Sequence, residues 1–289
     1  MVQAILINGI LLGCIYSLLA VGFALVFSAA RILNMALTSF YMVAAYFIVI
    51  LTNLHLHLLW ANLIAALLTI IFSMIFYLLC MDRVKEQETA VMIITVALAM
   101  ILEELFLNFF GSHPHMVPSF ISGFLEIGNV RATFQQLFAI GGSVIMLTVL
   151  WVLLTKTKIG GAIRAVSDDK EAAGLVGINV SRICLIVMAI SVGIASFAAI
   201  IVGPIFMASP YMWLQPLVIV LAAAVLGGLG SIKGSVFGAF ILGMVETTVA
   251  FGIPEGSYLR GAVSLSVMIL VLMFRPEGLF GVCFEEERL

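Results

Sequence analysis

Asn34, Glu103, Glu104 and Glu246 are polar side chains set in an otherwise oily sequence. An acid inside a membrane span is costly, so by default it is a candidate for handling a substrate or an ion. Glu103 and Glu104 have an equal competing reading, in which they lie close enough to the interface to reach water. At most one of that adjacent pair can face a given direction on a helix. Glu246 can alternatively hold helices together. His55 and His57 form a His-x-His pair, but without a third ligand such a pair marks an interfacial turn rather than a metal site. Cys14, Cys80, Cys184 and Cys283 are far apart and form no Cys-x-x-Cys unit, which makes them small apolar residues. The glycine-rich stretch 227–234 carries no Gly-Lys, so it reads as a tight turn and not as a phosphate loop.

The other stretch with chemistry in it runs from Lys156 to Arg182, the one long polar passage of the chain. It holds five of the thirteen Lys and Arg residues and three of the fifteen acids. Asp168 is placed to cap a helix start, and Glu171 to reach back and complete a capping box. Ala172, Ala173, Leu175 and Val176 follow, and Gly177 is placed to stop the helix. A helix of about two turns is marginal alone in water. Since its neighbours are membrane spans, the expected support is a partner protein at the membrane face. The plainer alternative is a solvated loop helix with no partner.

The surrounding elements follow from composition. The 289 residues are 64% hydrophobic and only 10% charged, with a mean hydropathy of +1.27. No water-soluble core hides that much apolar surface, so the class is an all-α, polytopic transmembrane helical bundle. The apolar runs are continuous and not alternating, which argues against a β-barrel. The net charge of −2 and the lack of a basic patch with interleaved aromatics give nucleic-acid binding no support. Membrane lipid is the expected surrounding. The N-terminal stretch has no positive flank and reads as the start of a retained first span.

Residues 1–30 contain no Asp, Glu, Lys or Arg and form a first span, with Gly9 and Gly13 spaced for close helix approach. Residues 32–81 suit two crossings that turn near Thr52 to Leu59, and residues 82–88 make a charged turn. Further spans are expected at Thr89–Phe110 and Phe134–Leu154, separated by a long loop. The charge-free run 183–232 suits two more, with Gly203-Pro204 and Ser209-Pro210 marking the turn. Gly234 and Gly238 open a span that carries Glu246, residues 253–258 turn the chain, and Leu259–Phe274 is the last span, stopped at 275–278. The total is about nine spans in a single transmembrane domain, 1–289. If they alternate, the basic turns share one side, which is then the cytoplasmic one, and the N-terminus lies outside.

Glu171-Ala172-Ala173-x-x-x-Gly177 resembles the EAA-x-x-x-G motif of ABC-importer permeases. G-G-A-I-R-A-V-S-D-D-K-E-A-A-G-L-V-G-I-N-V (160–180), L-G-G-L-G-S-I-K-G-S-V-F-G-A-F-I-L-G (226–243) and R-P-E-G-L-F-G (275–281) resemble branched-chain amino acid permeases of the LivH/LivM type. Urea and short-amide permeases share the pattern. The resemblance implies the ABC-importer permease fold, with 156–182 as the cytoplasmic coupling loop that docks on the ATPase. It assigns Arg164, Asp168, Glu171, Ala172, Ala173 and Gly177 to that coupling, and leaves Asn34, Glu103, Glu104 and Glu246 as candidates for the pathway. It also implies partners: two cytoplasmic ABC ATPase subunits, a second permease subunit (a paralogue or an identical copy) and an extracytoplasmic substrate-binding protein. One departure stands out. The family often has Asn-x-Ala-His-Gly after its first span, and here the stretch reads Asn34-Met35-Ala36-Leu37-Thr38. If it lines the pathway, the substrate is expected to differ from the family's usual one.

The expected function is therefore a permease subunit, not an enzyme, in the inner (plasma) membrane, translocating branched-chain or related amino acids. The chain has no nucleotide motif, so ATP is expected to be used by partner subunits and no cofactor is expected on this chain. The alternatives are a urea or short-amide permease, an ion-coupled secondary transporter using Glu103, Glu104 or Glu246, and a non-transporting scaffold.

Overall fold

A computed structural model describes residues 2–84, 87–121, 123–127, 130–252, 256–275 and 278–280. Lys85 and Glu86 of the charged turn, residues 253–255 of the last turn, Pro276, Glu277 and Cys283 lie outside the described residues. The chain begins with α1 (Val2–Ala30), α2 (Leu37–Asn53) and α3 (Leu58–Phe76), which runs through a π-helical turn (Tyr77–Met81) into α4 (Asp82–Val84). Next come α5 (Glu88–Phe110), a hairpin of β1 (Phe124–Ile127) and β2 (Val130–Thr133), and α6 (Phe134–Lys156). The polar passage forms α7 (Lys158–Asp168) and α8 (Lys170–Leu175). Then follow α9 (Val180–Phe206), α10 (Leu214–Gly227), α11 (Ile232–Gly252) and α12 (Arg260–Phe274).

Among the described residues, six helical stretches are long and apolar enough to cross a membrane: α1, α3 with α4, α5, α6, α9 and α11. The shorter apolar helices α2 and α10 have 17 and 14 residues. At about 1.5 Å per residue they fall short of a hydrocarbon core of roughly 30 Å. Much of each is buried within the protein.

The core is organised around α1. Its most apolar window is 83% buried, against 28% for α5 and 22% for α6, whose outer faces are open to lipid. The expected glycine spacings explain how α1 becomes central. A Cβ added to Gly243 on α11 would lie 2.6 Å from the Gly13 nitrogen on α1, and one on Gly13 would meet Phe240 at 2.7 Å. The second pair works the same way between α10 and α11, where a Cβ on Gly238 would sit 2.5 Å from the Ala223 carbonyl oxygen. Helices in lipid gain most of their attraction from such close backbone contact.

The breaks between helices are built by local hydrogen bonds. Arg31 ends α1 at φ 56, with its N–H donating to the Phe27 carbonyl at 2.8 Å. The Asn34 Oδ1 accepts from the Ala36 N–H at 3.0 Å and turns the chain into α2. His57 caps α3, its ring accepting from the Leu59 N–H. Of the two dipeptides expected to mark the turn before α10, only Ser209-Pro210 lies in it. Gly203-Pro204 does not turn the chain, because Pro204 lies inside the last turn of α9 and the helix continues to Phe206. The turn comes at Met207, with φ 59, and is held by paired bonds of 2.8 Å between His115 and Ala208. The long loop before α6 also contains the short β-hairpin, which its sequence did not announce.

Positive charge collects at one end. Arg31, Tyr77, Glu88, Lys170 and Val180 line one cavity there, which brings together the ends of α1 and α3 and the starts of α5, α8 and α9. Gly230, in the turn before Lys233, sits against Phe27 of α1, and Gly278, just past Arg275, sits against Gly228.

Candidate functional site

Two places concentrate polar groups. The first is α7–α8, at the basic end. Thr157 caps α7, its hydroxyl accepting from the Gly160 N–H at 3.0 Å. Gly160, Ile163 and Val166 form the buried face, and a Cβ on Gly160 would strike the Leu153 carbonyl oxygen at 2.3 Å. The arrangement needs a glycine where α7 folds back on α6. Sequence reading did not resolve α7 as a separate helix, although Thr157 and the three-residue spacing of Ile163 and Val166 signal it. Arg164 is exposed and donates to the Leu154 carbonyl.

The start of α8 differs from expectation by one residue. Asp168 is the last residue of α7, and Asp169 is the cap of α8. The Asp169 Oδ1 accepts from the N–H groups of Glu171 and Ala172 at 2.8 and 3.0 Å. Gly177, at φ 89, stops the helix as expected. Its N–H bonds the Gly174 carbonyl and the Ile178 N–H bonds that of Ala173, both at 3.0 Å. That crossed pair is the Schellman ending, which needs a residue at ease with positive φ. Ala173 turns inward, while Glu171, Ala172 and Gly177 are exposed. Leu175 and Val176 are 90% and 82% exposed, two aliphatic side chains presented with acids around them. Asp168, Asp169 and Glu171 line a groove of about 390 Å³ together with Arg31 and Lys170.

The α7–α8 unit is fastened to the end of α1. Arg31 Nη2 donates to the Ser167 carbonyl at 3.1 Å, and the Ser167 hydroxyl donates to the Ser28 carbonyl at 3.0 Å. The Lys170 ammonium donates to the Ala30 carbonyl, and the hydroxyls of Ser28 and Ser167 bond each other.

The second place is a cavity of about 350 Å³ towards the other end, between α1, α2, α9, α10 and α11. Its walls are Leu12, Ile15, Val202, Phe206, Met212 and Pro216. Tyr16, Tyr41, Ser209, Gln215 and Glu246 supply its polar groups. Glu246 is fully buried, and its Oε1 accepts from Gln215 Nε2 at 3.1 Å.

The other pathway candidates disperse. Asn34 is 1% exposed, but its amide faces the Met188 sulfur, and it lines none of the cavities described here. The replaced motif residues Leu37 and Thr38 are core residues, with Leu37 packed over Gly22. Glu103 is half-buried and accepts from Trp213 Nε1 at 2.7 Å, while Glu104 faces outward, so the two acids do diverge. Gln215 escaped sequence reading because amides in spans draw less notice than acids.

Comparison with known proteins agrees with this geometry. The chain is 27% identical over 294 residues to the high-affinity branched-chain amino acid transport system permease protein LivH of Salmonella typhimurium, covering 95% of this chain and 94% of that one. It is 26% identical over 293 residues to the corresponding permease protein BraD of Pseudomonas aeruginosa, covering 96% and 94%. Among solved structures, PsaBC from Streptococcus pneumoniae in complex with Fab superposes with a TM-score of 0.54 over 94% of this chain and 92% of that one, at 12% identity. The likeness of fold persists where sequence likeness has faded. Residues 5–272 match the family described as branched-chain amino acid transport system / permease component, and the chain belongs to that family of multi-pass plasma-membrane permeases.

Proposed function

We propose that this chain is the membrane subunit of an ATP-driven importer of branched-chain or closely related amino acids. In this reading α8 is the coupling helix that seats in a cytoplasmic ABC ATPase. The observation that carries it is the exposure of Leu175 and Val176 at the C-terminal end of a six-residue helix at the basic end of the bundle. A helix this short gains little stability of its own, and exposed aliphatics gain free energy once a partner covers them. Excess positive charge marks the cytoplasmic side, which places α8 where an ATPase can reach it and the N-terminus outside.

Arg164, Asp168, Glu171, Ala172 and Gly177 form the rim of this contact, and Ala173 packs α8 against its own bundle. ATP is hydrolysed by two partner ATPase subunits, and this chain binds no cofactor. A second permease subunit, paralogous or identical, completes the membrane unit, and an extracytoplasmic binding protein delivers substrate. ATP-driven movement of α7–α8 shifts the bundle between inward- and outward-facing states. The cavity at Glu246 lies on the pathway, and its mostly aliphatic wall suits a branched apolar side chain.

Co-purification from detergent tests this reading. The unmutated chain should bring down its ATPase subunit, and Leu175→Glu should lose it while the permease remains soluble and folded. Equal recovery of ATPase with both chains would refute the α8 assignment. Uptake that survives ATP depletion but collapses with the ion gradient would favour ion-coupled transport instead.

A further inference from the structure

The carboxyl of Glu246 is fully buried in the protein, at the edge of a cavity with a mostly apolar wall. Its Oε1 is bonded by the side-chain amide of Gln215, a residue that is itself exposed. We propose that Glu246 is the docking point for the ammonium group of the transported molecule, and that Gln215 holds the place until substrate displaces it. The inference rests on the importer reading above and adds the site and the recognised group.

Three features support it. First, the cavity of about 350 Å³ lies within the range of small-molecule sites, roughly 300–1,000 Å³. Second, the described residues that line it include one acid and no Lys, Arg or His. The sign of that lining favours a cationic group and disfavours an anion. Third, the exchange would trade a weaker kind of bond for a stronger one. A neutral amide-to-carboxylate bond gives way to an ammonium-to-carboxylate bond, which is charged at both ends and stronger. Gln215 lies on α10, Glu246 on α11, and Tyr16 on α1, so a ligand there would touch the three helices that the glycine contacts bring close.

The geometry also divides the ligand. Tyr16, Tyr41 and Ser209 line the same cavity, and each carries a hydroxyl of the kind that can donate to a carboxylate at the other end of a zwitterion. Leu12, Ile15, Val202 and Phe206 leave an apolar wall for its side chain.

The test uses the assembled importer in proteoliposomes, with ATP-driven uptake of radiolabelled leucine as readout and ATPase co-purification as the control for assembly. Glu246→Gln keeps the shape and can still accept from Gln215, but it loses the charge. Uptake should fall at least tenfold with assembly unchanged, whereas uptake at the unmutated rate would overturn the proposal. Gln215→Lys changes an exposed side chain and tethers an ammonium beside Glu246. It should abolish uptake in an assembled complex, and normal uptake would again overturn the proposal. Absence of ATP-driven uptake by the unmutated importer would instead refute the importer reading on which the proposal rests.

Discussion

The Arg31 guanidinium donates to the Ser167 carbonyl at 3.1 Å and so ties the end of α1 to the last turn of α7. Three further contacts, from Ser167 to Ser28, from Lys170 to Ala30 and between the two serine hydroxyls, make the joint rigid. The helix on the other side of this joint is the most buried span, and one turn of it carries Leu12, Ile15 and Tyr16 into the cavity. From Tyr16 to Arg31 is about 22 Å of helix. One continuous helix therefore connects the joint at α7–α8 with the cavity.

Arg31→Gly tests that connection cleanly. Arg31 sits at φ 56, where glycine is at ease, so the turn survives while the guanidinium is lost. The variant should assemble and hydrolyse ATP, but uptake per ATP should fall by about threefold or more, on the order of a coupling energy of 1 kcal/mol. Paired uptake and phosphate-release measurements in proteoliposomes check it, and an unchanged ratio would remove Arg31 from the coupling path.

The contact of Gly13 with Gly243 sets the spacing of α1 and α11. Gly243→Leu would force side-chain atoms into backbone, since even a Cβ lies 2.6 Å from the Gly13 nitrogen. Overpacking typically costs about 1–3 kcal/mol, and here backbone must move to relieve it. The melting temperature of the detergent-solubilised chain should drop by several degrees. Gly141→Ala on α6 is the control, because nothing lies within 4 Å of its added Cβ. That variant should match or exceed the unmutated melting temperature, as alanine favours a helix interior by up to about 1 kcal/mol.

The bond from Trp213 to Glu103 gives a third prediction. Trp213 is buried and aims its indole N–H at the Glu103 carboxyl at 2.7 Å. Trp213→Phe removes that donor and should cost about 1–3 kcal/mol, the range for a bond to a charged acceptor. Glu103→Gln keeps an acceptor for the indole and should cost less. A double-mutant cycle on thermal stability checks it. Additive effects would mean that the two side chains do not depend on each other.

Much of this was legible before any coordinates. Charge-free runs of spanning length announced the helices, and glycines four apart announced close helix approach without naming which helices would meet. Both signals are local and strong. The turn before α10 falls where Gly203-Pro204 and Ser209-Pro210 bracket it, but only the second dipeptide lies in it, because Pro204 is taken up in the last turn of α9. Asn34 looked like a pathway residue because it is polar and lies between spans. The structure shows a local use of that polarity, the Asn34 Oδ1 accepting from the Ala36 N–H in the break after α1. The partnership of Gln215 with Glu246 spans two helices, and no spacing rule exposes a contact of that kind.

The register of the α8 cap is where sequence and structure differ by one residue, and the difference is testable. Adjacent Asp168 and Asp169 are equally good caps by type. The structure chooses Asp169, because α7 uses Asp168 as its last helical residue and the chain turns extended only at the next position, φ −151 and ψ 114. Its carboxyl then meets two N–H groups of α8 that would otherwise have no helical partner. Asp169→Ala should cost the helix about 0.5–2 kcal/mol. If α8 must be formed to dock, that loss appears as weaker ATPase binding, between about twofold and thirtyfold at 1.4 kcal/mol per factor of ten. Asp168→Ala leaves the cap in place and should weaken binding less. Titrating each purified variant with the ATPase subunit gives both affinities. The reverse order would show that the register of α8 shifts by one residue on docking, which would return the capping role to Asp168.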